Sequence, residues 1–330
     1  MIFEKKYGID LGSDTVKIYS QFRNKVYKAR NLVAASDHTI IAVGNEAFEM
    51  WEKTPAEIQV FSPMEMGNIA NLELQEILIY RMMLGLDRFW RTGSKVYFSV
   101  PPDMSAIERR AFHQVVNGHW IRRGKTFLVE AAFCDALGMD LDPDREEGMM
   151  LVNMGDQTTR FSIISAGRIL MSRVIPIGGA KIDAAIAQEI RRRYQIQSGY
   201  RTASRLKLEM GRLSDQKKET RRIVGIDMVS GLPREEEVSS YVVNAGIMNC
   251  INELADQIRI FMERIPPSMS YRISSEGIFL CGGCARIPYL ETYLGSSTGY
   301  TFNLSERYED TTVVGLEKVI HEKAYRKWVM

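Results

Sequence analysis

The stretch "DLGSDTVKIYS" (10–20) has a counterpart in the same chain, "NMGDQTTRFSI" (153–163). Each one indicates a strand, a tight glycine turn and a second strand, and each opens one half of the chain. The residues that correspond are Asp10 with Asn153, Gly12 with Gly155, Thr15 with Thr158, and Lys17 with Arg160. This internal echo predicts two related halves with a cleft between them. A nucleotide held in that cleft would have one loop from each half on its phosphates.

The composition is that of an ordinary globular protein. The chain has 330 residues, of which 45% are hydrophobic and 25% are charged, and its formal net charge is +2. That length accommodates two domains, and the near-neutral charge by itself predicts neither a nucleic-acid nor a membrane partner. We see no secretory signal at the start and no run of about 18 apolar residues. The sequence therefore predicts a cytoplasmic protein.

The four cysteines leave a metal or redox site as a minor alternative. Cys281 and Cys284 form C-G-G-C, but a zinc site of this type needs a second pair of ligands at suitable spacing. Only Cys134, Cys250 and scattered histidines remain. We interpret C-G-G-C as a glycine turn flanked by small residues.

Strands alternate with helices along the chain, which favours an α/β architecture. "SAIERRAFHQVVNG" (105–118) has the serine and glutamate of a capping box, and "AKIDAAIAQEIRRRYQ" (180–195) has amphipathic helical spacing. A long helix is predicted over 243–267, stopped by two prolines. The charged stretch 216–222 is predicted to be a solvated loop, and the acidic stretch 140–148 to be a linker.

Several longer segments carry a resemblance to a known family. They are "YGIDLGSDT" (7–15), "AVGNEAFEMWEKTPAEIQVFSPMEMGNIAN" (42–71), "SVPPDMSAIERRA" (99–111), "DMVSGLPREEEVSS" (227–240) and "GIFLCGGCARIPYL" (277–290). Their order and content resemble the bacterial actin homologues MreB and Mbl over nearly the whole chain. The K-T-P and S-G-L-P segments distinguish this family from other actin-like proteins and from sugar kinases.

The resemblance implies an α/β, actin-like fold: two duplicated domains with mixed sheets flanked by helices, and four subdomains around a nucleotide cleft. The expected boundaries are domain I at 1–144 (subdomain IA 1–31 and 75–144, IB 32–74) and domain II at 145–330 (IIA 145–180 and 245–330, IIB 181–244). It also implies ATP or ADP with Mg²⁺ as ligand. The expected partners are further copies of the chain or another MreB paralogue, and the inner face of the cell membrane, where the protein would be peripheral.

The resemblance also implies a set of ligand-binding positions. Asp10 corresponds to the acidic residue at the Mg²⁺–phosphate edge. The nucleotide-binding positions are Asp10, Gly12, Ser13, Asp14, Thr15, Gly155, Asp156, Gln157, Thr158, Gly178, Gly179, Ser204, Arg205, Lys207, Gly282, Gly283, Cys284, Ala285 and Arg286.

The chain departs from the family pattern chiefly on the phosphate side. Asn153 replaces an aspartate, Ala180 replaces an acid, and Asp156 adds a negative charge where the family has glycine. Asp14 likewise replaces a small neutral residue. In the first half, Ala131 occupies the position of the glutamate that orients the attacking water. These departures predict a degenerate ATPase with no intact catalytic residue and with weak, altered or absent hydrolysis. They leave open whether nucleotide still binds.

Two further segments have two interpretations each. Phe89 and Trp90, flanked by Arg88 and Arg91, have the chemistry of a membrane-inserting tip, or they cap the core beneath their loop. The basic tail 321–330 is expected to be a packed terminal helix, with a second membrane contact as the alternative.

Three functions remain open from the sequence. The leading hypothesis is a filament-forming cytoskeletal protein at the membrane that contributes to cell shape, with weak or absent ATP hydrolysis. The alternatives are an active ATPase or kinase of the actin-like superfamily, and a non-polymerising regulator of another MreB filament.

Overall fold

The structure, a computed structural model, describes residues 5–36, 39–53, 57–87, 93–117, 125–213 and 218–330. Contacts between residues divide the chain into two compact units. Unit 1 comprises Met1–Asp144, Gly167–Ser172 and Asp310–Met330, and unit 2 comprises Arg145–Ala166 and Arg173–Glu309. The predicted subdomain boundaries stay predictions.

The strands and helices follow the alternation that the sequence indicates. The strands are β1 (Lys6–Leu11), β2 (Thr15–Ser20), β3 (Lys25–Arg30), β4 (Val33–Ser36), β5 (Thr39–Val43), β6 (Gln59–Phe61), β7 (Met64–Glu65), β8 (Asn68–Ile69), β9 (Lys95–Val100), β10 (Lys125–Glu130), β11 (Met149–Met154), β12 (Thr159–Ser165), β13 (Arg168–Ile175), β14 (Ile196–Gln197), β15 (Thr220–Asp227), β16 (Pro233–Ser239), β17 (Ile278–Cys281) and β18 (Phe302–Leu304). The α-helices are α1 (Asn45–Met50), α2 (Leu72–Leu86), α3 (Ala106–Asn117), α4 (Ala131–Gly138), α5 (Gly179–Tyr194), α6 (Tyr200–Met210), α7 (Ser240–Met262), α8 (Pro267–Glu276), α9 (Leu290–Thr298) and α10 (Thr311–His321). Short 3₁₀ helices lie at Gly283–Arg286, Tyr308–Asp310 and Lys323–Trp328.

Each unit is built on a five-stranded mixed sheet, and the two sheets have the same design. The strand orders are β3-β2-β1-β9-β10 and β13-β12-β11-β17-β18. In both sheets the first strand of the half pairs antiparallel with the strand that follows it and parallel with a later strand. The structure thus confirms the mixed sheets and shows that the internal echo extends to strand order and direction.

The central strands of both sheets are apolar because helices cover them. β1 and β11 are buried almost throughout, with Ile9 and Val152 fully enclosed. Continuous apolar runs of this kind are typical of strands that are covered on both faces. The two glycine loops follow directly after β1 and β11, where this buried stretch ends.

The turn between β12 and β13 fixes the register of that hairpin. Ala166 and Gly167 form a two-residue turn, and both have positive φ, 49° and 70°. A turn of this type, I′, places the flanking residues Ser165 and Arg168 opposite each other. Counting back along the two strands puts Arg173 of β13 opposite Arg160 of β12.

Most predicted helices are confirmed, with small differences at their ends. The capping box before α3 is present, since Ser105 N–H donates to Glu108 Oε2 (2.7 Å) and Glu108 N–H donates to Ser105 Oγ (3.2 Å). α7 ends at Met262, short of the two prolines.

Two local predictions are wrong in part. The second half of the charged stretch 216–222 is not a loop, because β15 begins at Thr220 and pairs with β16. There Arg222 lies close to Glu235 and Glu237 (3.6 and 3.8 Å), so the charges compensate one another across strands. The C-terminal tail is packed, as expected, but as a 3₁₀ helix after α10, with the Trp328 ring stacked on Phe133.

Candidate functional site

The first predicted phosphate loop is the turn between β1 and β2 in unit 1. A Cβ on Gly12 would lie 2.6 Å from the Thr15 carbonyl oxygen, so this close turn requires glycine. The Gly12 carbonyl accepts a hydrogen bond from Asn31 Nδ2 (2.9 Å), and the Ser13 carbonyl accepts one from Ser62 Oγ (3.2 Å). The loop is therefore braced from its outer side by residues that the sequence did not point to.

The Asp10 carboxylate at the end of β1 is held by two neighbours. Ser99 Oγ donates to Oδ1 (2.7 Å), and Lys17 Nζ donates to Oδ2 (2.9 Å). A carboxylate offers about four lone-pair sites and so can accept from several partners at once. Mg²⁺ is usually bound through one or two carboxylates together with substrate phosphates. Asp10 fits such a role for a nucleotide-bound ion.

The extra negative charge of Asp14 is compensated. Its carboxylate forms an ion pair with Arg30 of β3 and accepts a hydrogen bond from Thr15 Oγ1 (2.7 Å). Arg30 also lies over the Phe48 ring, 4.4 Å from its centroid. Asp14 therefore adds a negative charge to the loop, and Arg30 offsets it with a positive one.

The position of the missing catalytic glutamate is a buried methyl group. Ala131 is the first residue of α4 and is 4% exposed. Of the two carboxylates that could substitute for it, Asp135 is buried and accepts a hydrogen bond from Thr312 Oγ1 (2.6 Å). Glu130 lines a cavity of about 370 Å³ together with Trp328. Burial raises the pKa of Glu130, the charge of Asp103 raises it further, and Arg109 opposes both.

The second predicted phosphate loop joins β11 to β12 in unit 2. Gly155 N–H donates to the Thr158 carbonyl (2.9 Å), which closes the turn, and Thr159 Oγ1 donates to the Ile177 carbonyl (2.6 Å). The carbonyls of Gly155 and Asp156 accept hydrogen bonds from the first N–H groups of α5, at Gly179 (3.1 Å) and Ala180 (2.8 Å). The loop thus caps the helix that follows β13.

Two glycines at the start of α5 permit this close packing. A Cβ on Gly178 would lie 2.3 Å from the Asp156 carbonyl oxygen. A Cβ on Gly179 would lie 2.9 Å from Asp156 Oδ1 and 3.2 Å from Lys207 Nζ. Since both charged atoms lie so close to one point, they are at most about 6 Å apart, and they attract each other by about 3 kcal/mol at an effective dielectric constant of about 20. The charge of Asp156 is therefore partly offset by Lys207.

Lys207 also faces a buried carboxylate. Its Nζ lies 2.8 Å from Asp183 Oδ1, and both side chains are largely buried. Burial raises the pKa of Asp183, while the charge of Lys207 and, to a smaller degree, the hydroxyls of Ser204 and Tyr200 favour the ionised form.

The turn after β17 brings the last predicted positions to the same loop. Gly282 has φ +94°, and a Cβ there would lie 2.3 Å from the Met154 carbonyl oxygen. Cys284 Sγ donates to the Gly155 carbonyl (3.2 Å), which gives this cysteine a structural role. Arg286 forms two hydrogen bonds with the Glu309 carboxylate, at 2.5 and 2.9 Å.

The predicted positions are thus only partly brought together. Within unit 2 the structure gathers the second loop, the start of α5, Lys207 and the turn at Gly282–Arg286. Arg205 does not join them, because its side chain is exposed and lies 4.0 Å from Glu209 one turn along α6. The predicted membrane tip, Phe89 and Trp90, lies outside the residues that the structure describes.

Sequence reasoning missed the residues opposite Asn153. Asn153 pairs with Arg160 across the sheet, and Arg160 lies opposite Arg173 on the next strand. Nε and Nη1 of Arg160 and Nη1 of Arg173 are buried without a hydrogen-bond partner among the described residues. The two-residue turn "AG" (166–167) was the signal that would have placed the two arginines side by side.

The duplicated mixed sheets, each with a glycine loop after its central strand, define an actin-like protein. The particular family follows from the sequence comparison: the chain belongs to the MreB/Mbl protein family, whose model matches residues 4–327. It is 28% identical over 315 residues to the cell shape-determining protein MreB of Escherichia coli strain K12, covering 92% of this chain and 90% of that protein. The MreB5 protein of Spiroplasma citri, for which crystal structures exist, is 27% identical to this chain in sequence. The ADP-bound form has a TM-score of 0.90 over 98% of both chains, and the AMPPNP-bound form has one of 0.92 over 99% and 98%.

Proposed function

We propose that this protein is a cytoskeletal MreB-type protein that binds an adenine nucleotide, assembles into filaments at the inner membrane face, and hydrolyses ATP slowly or not at all. Membership of a family of cell shape-determining proteins supports the cytoskeletal class. The MreB5 relative has been crystallised with ADP and with AMPPNP, which supports nucleotide binding.

The proposal rests on a contrast between the glycine turns, which are retained, and the start of α4, where the catalytic group is missing. Gly12, Gly178 and Gly282 each occupy a position where a Cβ would come within 2.6, 2.3 and 2.3 Å of a backbone atom, so the close loop geometry is retained. Ala131, in contrast, offers no group that could orient an attacking water. Binding depends on the loops and turnover depends on the missing base, so the two activities are expected to separate.

The residues present also set limits on the metal. Among the described residues, no three His, Cys, Asp or Glu side chains are close enough to hold a metal ion by themselves. The Asp10 carboxylate would hold a magnesium ion together with the nucleotide's phosphates and waters, as is usual for this ion. When bound, Mg²⁺ supplies charge neutralisation to the phosphates, and Asp10, fixed by Ser99 and Lys17, keeps it in place.

Self-association is supported by an apolar surface on unit 2. Val224 and Ile226 alternate along β15, so they share one face, and Met228, Val229 and Leu232 follow in the turn after it; all five are exposed. Contiguous exposed apolar patches are typical of interaction surfaces. None of the described helices has the length and apolar character that crossing a membrane requires. Membrane association is proposed for the tip at Phe89 and Trp90 because aromatic rings flanked by arginines suit a lipid interface.

Electron microscopy of the purified protein on anionic lipid, with AMPPNP, with ADP and without nucleotide, tests the proposal. We expect filaments on lipid that depend on nucleotide, and phosphate release from Mg-ATP far below that of the E. coli relative measured in parallel. Fast phosphate release would refute the loss of hydrolysis. Absence of filaments in every condition, with filaments only after another MreB protein is added, would replace self-assembly by the regulator function.

A further inference from the structure

A row of three side chains crosses the sheet of unit 1 and is electrically balanced. Asp10 of β1 pairs with Lys17 of β2, which pairs with Lys28 of β3. Directly paired residues in antiparallel strands project on the same face of the sheet. Lys17 Nζ lies 2.9 Å from Asp10 Oδ2, and Lys28 Nζ lies 2.6 Å from Asp310 Oδ2. Each cation of this row therefore has its own carboxylate.

The equivalent row of unit 2 has the cations and lacks the carboxylates. It consists of Asn153 of β11, Arg160 of β12 and Arg173 of β13, and we call it the arginine row. Across the described part of the chain, neither arginine has a carboxylate within ion-pair distance or a side-chain hydrogen bond. Buried N–H groups are left unpaired on both guanidinium groups.

This arrangement is unfavourable unless an anion completes it. Like charges directly opposite each other on two strands are destabilising, and unpaired buried donors bear the full cost of their desolvation. Guanidinium groups present a planar fork of donors that matches the oxygens of phosphate. A side chain such as Asn153 adds an amide, which can donate to the same anion without adding charge.

We infer that the arginine row is an oxyanion site that takes a phosphate group. The phosphate oxygens accept from the unpaired N–H groups of Arg160 and Arg173 and take the place of the carboxylates that Lys17 and Lys28 have in unit 1. The phosphate comes from free inorganic phosphate or from the end of a bound nucleotide, and the site exists whether or not the nucleotide proposal holds.

Calorimetric titration of nucleotide-free protein with sodium phosphate, against sodium chloride at equal ionic strength, tests the inference. Loss of a charge-assisted hydrogen bond is expected to weaken binding about 10- to 100-fold in the variant Arg160→Gln/Arg173→Gln. Arg168→Gln is the matched control, because Arg168 is exposed on the same strand and projects from the opposite face. We expect it to bind phosphate as the unchanged protein does.

A second variant tests the site without relying on loss of binding. Asn153→Asp supplies Arg160 with the carboxylate that Lys17 has in unit 1. In phosphate-free buffer this variant is expected to unfold at a higher temperature than the unchanged protein. The further rise in unfolding temperature that phosphate causes in the unchanged protein is expected to shrink. An unfolding temperature that is equal or lower, with an unaltered response to phosphate, would overturn the inference.

Nucleotides then identify the source of the phosphate. If a nucleotide fills the site, Arg160→Gln/Arg173→Gln lowers the affinity for AMPPNP more than the affinity for adenosine. Free phosphate then competes with AMPPNP for binding. If free phosphate fills it, phosphate and ADP bind together without competing; both results support the site. Failure of phosphate to bind the unchanged protein, with equal AMPPNP affinity in the double variant, overturns the site while leaving nucleotide binding intact.

Discussion

The buried ion pair between Asp183 of α5 and Lys207 of α6 allows a quantitative prediction. The charged atoms are 2.8 Å apart, and two unit charges at that distance attract by about 6 kcal/mol at an effective dielectric constant of about 20. Desolvation of both groups offsets much of this attraction, so the pair as a whole contributes little. Removing only the lysine is different, because it leaves a carboxylate buried without its counter-charge.

We therefore expect Lys207→Met to lower the free energy of unfolding by about 3–5 kcal/mol near neutral pH. Urea-induced unfolding, followed by far-UV circular dichroism in the absence of nucleotide, measures it. Arg205→Met on the same helix is the control. Its side chain is half exposed and lies 4.0 Å from Glu209, so its removal should cost less than about 1 kcal/mol.

The loss in free energy of unfolding caused by Lys207→Met, called the deficit below, should become smaller as the pH falls. Burial already raises the pKa of Asp183 in the folded protein, and Lys207 opposes that rise. Without the lysine, the folded-state pKa rises further above the unfolded value. A group with a raised folded pKa contributes most stability below its unfolded pKa and loses it as the pH rises through the folded pKa. The deficit should therefore shrink from about pH 8 to about pH 5.

Two results would refute this reasoning. One is a loss for Lys207→Met no larger than that for Arg205→Met, which would mean that water or another group compensates Asp183. The other is a deficit that does not change with pH. The double variant Asp183→Asn/Lys207→Met separates charge from packing, since removing the buried charge should recover most of the lost stability.

Three further outcomes are expected. Gly178→Ala should lower the unfolding temperature of the nucleotide-free protein and reduce its free energy of unfolding by about 1–3 kcal/mol, because the new Cβ would lie 2.3 Å from a backbone oxygen. Gly283→Ala is the control and should leave the unfolding temperature unchanged, because the nearest atom to its Cβ would be 3.8 Å away. Phe89→Ser with Trp90→Ser should abolish flotation with anionic vesicles while Phe22→Ser, at an exposed site, leaves it unchanged, and unaltered flotation of the first variant would reject the membrane tip. A fourfold variant combines Ala131→Glu, Asn153→Asp, Asp156→Gly and Arg160→Gln. It should release phosphate from Mg-ATP faster than the parent protein, and an unchanged rate would show that the missing base does not limit turnover.

The fold was accessible from the sequence because its signals are local and repeated. The turn at Gly12 and the turn at Gly155 occur in the same strand–turn–strand setting, and the structure places both at the ends of equivalent central strands. The capping box at Ser105 and Glu108 was equally readable, since both partners lie within four residues. Patterns of this kind depend on spacing along the chain, which the sequence states directly.

The electrostatics of the site were not accessible in the same way. Asp14 and Asp156 were expected to add negative charge to the loops, and the sequence did not show which cations lie beside them: Arg30 pairs with the first and Lys207 lies near the second. Those partners are distant in sequence, and only the pairing of β2 with β3 and the packing of α6 on α5 bring them close. The predicted nucleotide-binding positions themselves remain predictions.

The departures at the second loop are also coupled, which changes what restoring them would do. Asn153→Asp was expected to return the family's acidic residue to the phosphate edge. In this chain, Arg160 lies directly opposite Asn153 with unpaired N–H groups, so a new carboxylate would pair with the arginine before it could hold a metal-bound water. A restored aspartate therefore requires a neutral residue at position 160. The loss of the carboxylate and the presence of the arginine form a single change in charge, from a row that suits a hydrated cation to one that suits an anion.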